Sequence, residues 1–145
     1  MRTDSYYEKE FNNLVAYCKQ LGWNVIEGHK LDDAVLFETK EITINSQRRP
    51  EIKLYRLLHE IGHILFSKTK NYEFRSTSMY CKTTDKRKNT DKVETLEEEF
   101  GAWARGLLLA ERRGIFVDKE QFDKDKAACI MTYMRWATMP KDWDD

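Results

Sequence analysis

The chain is short of the residues that build unusual scaffolds. It has three cysteines, Cys18, Cys81 and Cys129, far apart and without a CxxC pair. An odd, scattered set of thiols excludes a disulfide framework and fits a reducing compartment. Net charge is absent as well: 25 basic residues offset 25 acidic ones, so the overall basic footprint of a dedicated nucleic-acid binder is missing. No apolar run approaches the ~18 residues of a membrane span, and the opening MRTDSYYEKEF has no signal-peptide core. A cytoplasmic protein without membrane association is expected, and nucleic acid is not expected as a partner. Only three histidines are present, which gives their positions weight.

What is plentiful is core material. Four Trp, seven Tyr and seven Phe in 145 residues suit one domain, large enough to fold without a stapling metal. We expect a single domain over residues 1–145.

The hydrophobic spacing predicts a mostly helical α+β fold. Tyr7, Phe11, Leu14, Val15, Cys18 and Leu21 form a helical stripe over 6–21, with Asp4 or Ser5 as cap and Gly22 as stop. Residues 23–27, 33–37 and 41–45 are strand candidates, read together as a small antiparallel sheet of three strands. A helix follows from about Glu51 to Ser67, its apolar face formed by Leu54, Leu57, Leu58, Ile61, Ile64 and Leu65. Residues 68–92 are polar and lysine-rich, a surface excursion with one short strand at 78–81. Helices are expected again over 93–113, closed by Gly114, and over 119–139, closed by Pro140.

Residues 59–63 of the second helix read His59-Glu60-Ile61-Gly62-His63. Residues four apart share a helix face, so both imidazoles can reach one ion, and zinc accepts two such nitrogens at ~2.0–2.1 Å. Glu60 is offset around the helix, too far for ligation but placed to grip a zinc-bound water. That is the mechanical content of the HExxH motif: the metal lowers the pKa of the water, and Glu60 takes its proton and returns it to the leaving amine.

A catalytic zinc needs a third protein ligand. His29 reads as a turn residue, and no cysteine stands in an obvious partnering position. The run Glu94 to Glu99 opens the next long helix and offers carboxylates. With Leu96, Phe100, Trp103 and Leu107 as the core stripe, Glu97, Gly101, Ala104 and Leu108 form an adjoining stripe, small in its middle, that would let two helices approach. Glu97 is therefore the expected ligand and Glu99 the alternative, with Glu98 placed toward solvent.

Two segments resemble the ImmA/IrrE family of small zinc metallopeptidases. Tyr55-Arg56-Leu57-Leu58-His59-Glu60-Ile61-Gly62-His63-Ile64-Leu65 is similar to its HELGH region, and residues 97–109 are similar to its ExEAN-x-FA-x-x-LLMP helix. The resemblance spans about residues 1–115. It puts Glu97 on the first Glu of ExEAN, with Phe100, Gly101 and Ala110 where the family has Ala, Asn and Pro. It implies zinc-dependent peptide-bond hydrolysis in the cytoplasm. The protein substrate would be a phage-type helix-turn-helix repressor on a separate chain, in a phage or mobile-element setting. Oxyanion-stabilising candidates are Tyr72, Tyr80 and Arg105, and strand 41–45 could give an extended substrate an edge. The alternative is a catalytically weak or inactive module binding a protein or nucleic-acid partner. Gly101, which would forgo an outer-shell hydrogen bond, and the basic residues Lys82, Lys86, Arg87, Lys88 and Lys92 motivate it. A structural zinc site is a third reading, and it would need four protein ligands.

Overall fold

The computed structural model describes residues 2–69 and 89–139. Helix α1 runs Asp4–Gln20, followed by strands β1 (Asn24–Gly28), β2 (Ala34–Leu36) and β3 (Glu41–Asn45). Helices α2 (Pro50–Thr69), α3 (Asn89–Arg112) and α4 (Lys119–Thr138) complete the order. The fold is mostly helical α+β, as expected. The strand expected at 78–81, Lys82, Lys86, Arg87, Lys88, Tyr72, Tyr80 and Pro140 lie outside the described residues, whereas Lys92 belongs to α3, which begins at Asn89, four residues before the expected start. Among the described residues no helix is long and apolar enough to cross a membrane.

Helix α1 forms where the stripe demands it, burying Tyr7, Phe11, Leu14 and Cys18. Its cap is Thr3, one residue earlier than expected, whose Oγ1 accepts from the Tyr6 amide. Gly22 ends the turn with φ +88°, a left-handed conformation that glycine adopts without strain.

The sheet is mixed rather than antiparallel. Its order is β1-β3-β2; β2 pairs antiparallel with β3, and β1 pairs parallel with β3 from Asn24↔Glu41 to Gly28↔Asn45. The turn at 37–40 makes β2 and β3 a hairpin, with Lys40 at φ 56°. After β1 the chain crosses to the opposite edge of β3. Strand alternation encodes which side is buried, not which way a neighbour runs. Strand 41–45 is thus central and has no free edge for a substrate. Its Ile42 and Ile44 are fully buried.

Helix α2 lies at the centre of the molecule. Leu54, Tyr55, Leu57, Leu58, Ile61 and Ile64 are all buried. An aliphatic stripe alone would leave one face solvated, but α1, the sheet, α3 and α4 all pack on α2. Polar ties fix it further. The Arg56 guanidinium donates Nε to Asp125 Oδ2 at 2.9 Å and Nη2 to Oδ1 at 2.8 Å, joining α2 to α4. Asp33, ahead of β2, pairs with Arg48 and lies 3.5 Å from Arg56 Nη1. Tyr55 Oη donates to Glu51 at 2.8 Å and accepts from the Asp118 amide at 2.9 Å.

Asp125 is 7% exposed, and removing its partner strands a buried charge. Arg56→Ala is expected to cost about 3 kcal/mol. The measurement is the urea midpoint at unchanged slope; an unmoved midpoint would show that the pair contributes nothing.

Candidate metal centre

The donors come from two helices held unusually close. A Cβ on Gly62 would lie 1.9 Å from the Ala102 carbonyl oxygen, and one on Gly106 would lie 2.5 Å from the Leu58 carbonyl oxygen. Only hydrogen fits at both points, so the α2 and α3 backbones touch. The face of α3 turned inward consists of Thr95, Glu99, Ala102, Trp103, Gly106, Leu109 and Ala110.

That face brings Glu99, not Glu97, to the histidines. Glu99 is 3% exposed; its Oε1 lies 3.0 Å from His59 Nε2 and its Oε2 lies 3.0 Å from His63 Nε2. Glu97 is exposed, two positions earlier and about 160° away around the helix. The expected placement is corrected because the supposed core stripe was mis-phased. Phe100, its second member, is 46% exposed. The small stripe headed by Glu97 is not the contact surface either: Ala104 is exposed. Gly101 faces Phe66, whose ring a Cβ would approach to 2.3 Å. The glycine standing where the family has Asn therefore makes room for an aromatic ring of α2.

The outer ring nitrogens are held too. His59 Nδ1 is 3.0 Å from Glu60 Oε2, and His63 Nδ1 is 3.2 Å from Glu98 Oε2. Glu98, expected in solvent, is half-buried and orients His63. Each ring thus has a carboxylate at both nitrogens, and both N–H groups donate; a cation taking the place of the Nε2 protons would leave Nδ1–H held by Glu60 or Glu98, as an outer partner holds a ligating histidine. His59 also stacks on Trp103, with centroids 4.2 Å apart and planes at 12°, which fixes the ring plane.

Burial alone would push both imidazoles down. The charges of Glu60, Glu99 and Glu98 outweigh it and hold His59 and His63 above their ordinary range. Burial would likewise raise Glu99, yet the two imidazoles hold its carboxyl far below the usual carboxylate range. The pocket therefore favours positive charge, which protons or a cation can supply.

The donor set fits a divalent metal. It offers two imidazole nitrogens and a carboxylate, all buried. Glu99 meets the two Nε2 atoms through different oxygens, each at 3.0 Å, so one ion held by all three would draw the donor atoms together to the ~3.3 Å of a tetrahedral site with ~2.0 Å bonds. With one donor atom each, His59, Glu60 and His63 lie within 4.8 Å of one another, and so do His59, Glu99 and Cys129. Cys129 was set aside in the sequence because no metal-ligand spacing includes it. It sits on α4 four residues after Asp125, the partner of Arg56, and shares that helix face, which only the docking of α4 reveals. Burial, and then the charge of Glu99, push its thiol up to about 12.

The remaining candidates do not gather here. His29 is exposed in the turn after β1, and Arg105 is half-buried on α3, about 120° around from Glu99.

A buried His/Glu cluster shared by two helices is an arrangement that can hold a metal ion. The chain belongs to the family of IrrE N-terminal-like domains, peptidase family M78, whose model matches residues 10–128. The match extends through the first half of α4, beyond the two motifs that first suggested it. No curated protein and no solved structure matches the chain.

Proposed function

We propose that the chain is a zinc-dependent peptidase of the cytoplasm, with His59, His63 and Glu99 as metal ligands and Glu60 as general base. The observation that carries this reading is the Glu99 carboxylate, buried with one oxygen 3.0 Å from each Nε2. A bound zinc ion would supply Lewis acidity, lowering the pKa of water toward ~7 and holding the oxyanion of the attacked carbonyl.

The chain's own groups supply the rest. Glu60 is 4% exposed, and one of its carboxylate oxygens lies within 4.8 Å of a nitrogen on each histidine. A water seated there is within its reach. Glu60 takes the proton of the attacking water and passes it to the departing amine. Glu98 holds the His63 ring, and Trp103 holds the His59 ring. The low exposure of all four site residues strengthens each charge interaction among them. A regulatory protein, such as a helix-turn-helix repressor, is the substrate class we put forward; it rests on family kinship.

Glu60→Gln is expected to retain about one zinc per chain and to lose cleavage by at least ~10²-fold. Zinc is read by mass spectrometry of the purified protein, and cleavage by mass spectrometry of a peptide library and a co-expressed repressor. Normal cleavage by Glu60→Gln would remove Glu60 as base. A zinc-free wild type after growth with added zinc would remove the metal reading.

A further inference from the structure

The chemistry above leaves Cys129 without a task, although its Sγ lies 3.9 Å from Glu99 Oε1. A tetrahedral ion with a ~2.3 Å bond to sulfur and a ~2.0 Å bond to oxygen places those two atoms about 3.5 Å apart. The thiol therefore stands within a few tenths of an ångström of a ligand's position. A second observation points to the same atom. Trp103 is fully buried, and its Nε1–H has no hydrogen-bond partner among the described residues, while its indole bears on the Cys129 sulfur. A thiol is a weak acceptor, whereas a metal-bound thiolate accepts an N–H readily. The orphaned donor is matched once the sulfur is a ligand.

Charge supports the same assignment. Two neutral imidazoles, one carboxylate and one thiolate sum to −2 over the four donors, which a divalent ion offsets; Glu60 and Glu98 on the outer ring nitrogens add further negative charge that favours a cation here. A thiolate beside Glu99 is unfavourable unless a cation lies between them.

We propose that Cys129 is a fourth protein donor, its thiolate closing the metal's remaining position in the resting chain, so that water enters only when Cys129 withdraws. As the sulfur–metal bond forms, the S–H proton leaves to solvent, and no electron is transferred. This rests on the reading of His59, His63 and Glu99 as ligands and deepens it.

The test is cobalt(II) loading of the full chain, read by absorption. The wild type is expected to take one equivalent and to show the near-ultraviolet thiolate-to-cobalt charge-transfer band. Cys18→Ser and Cys81→Ser should keep the band, and Cys129→Ser should lose it while still binding cobalt. A wild type that binds one cobalt without the band overturns the proposal and needs no variant. A band that survives in Cys129→Ser, or disappears in Cys81→Ser, also overturns it. Failure of the underlying site looks different: the wild type takes up no cobalt, or Glu99→Ala takes up as much as the wild type.

Discussion

Glu99→Ala is expected to strip the protein of metal, while Glu97→Ala leaves it loaded. The two carboxylates are two positions apart, yet only one lies on the face that α3 turns to α2. Glu99 is 3% exposed and meets both imidazoles at 3.0 Å, whereas Glu97 is exposed. Losing an outer-shell partner of a ligand typically costs ~10–100-fold in metal affinity. Losing a direct ligand should exceed that, so Glu99→Ala is expected to bind zinc more than ~100-fold more weakly. Glu98→Ala removes only the brace on His63 Nδ1 and should fall within the ~10–100-fold range. Competition with a chromophoric chelator measures all three, with circular dichroism as a check on folding. Equal affinities across the three variants would sink the assignment of a ligand to this helix. Loss in Glu97→Ala alone would mean that α3 sits in a different phase from the one described.

Gly62→Ala is expected to be the most damaging single-methyl change in the chain. The added carbon would meet the Ala102 carbonyl oxygen at 1.9 Å, far inside any allowed contact. The obstacle is backbone, so no rotamer change relieves it. The helices must part, and Glu99 then moves away from the histidines. Overpacking a core commonly costs ~1–3 kcal/mol, and more where nothing can yield. The expected loss is therefore about 3 kcal/mol or more, or roughly 10 °C in Tm for a domain of this size. Zinc affinity should fall together with stability. Gly22→Ala is a contrast: nothing lies within 4 Å of its Cβ position, and its cost comes from positive φ alone. A Gly62→Ala protein with wild-type Tm and metal affinity would show that the helices do not touch there.

Much of this arrangement was legible in the sequence. The histidine pair was found because helical geometry makes i, i+4 spacing a spatial fact. Strand 41–45 matched its observed bounds, and helices α1, α2 and α4 fell within two residues of theirs, because alternation and stripes carry that information locally. The phase of α3 was misread for a physical reason. Its inward face sets Ala102, Gly106 and Ala110 beside Trp103 and Leu109, so that backbones can touch, while Phe100 lies outside it. A rule that follows hydrophobic bulk does not separate Phe100 from Trp103. The family motif, aligned on its first Glu, shared the same offset. Cys129 was illegible for another reason: its neighbours Glu99 and Trp103 are distant in sequence, and only the docking of α4 brings them together.

The backbone contact at Gly62 and Gly106 separates two things that motif searches tend to join. The spacing of the donors is set where two helices touch, not by the stretch of chain that leads from one to the other. A change in the length of that connection leaves Glu99 beside the histidines as long as the contact is kept. The small residues at the crossing are therefore a steadier mark of this centre than any fixed interval between its motifs.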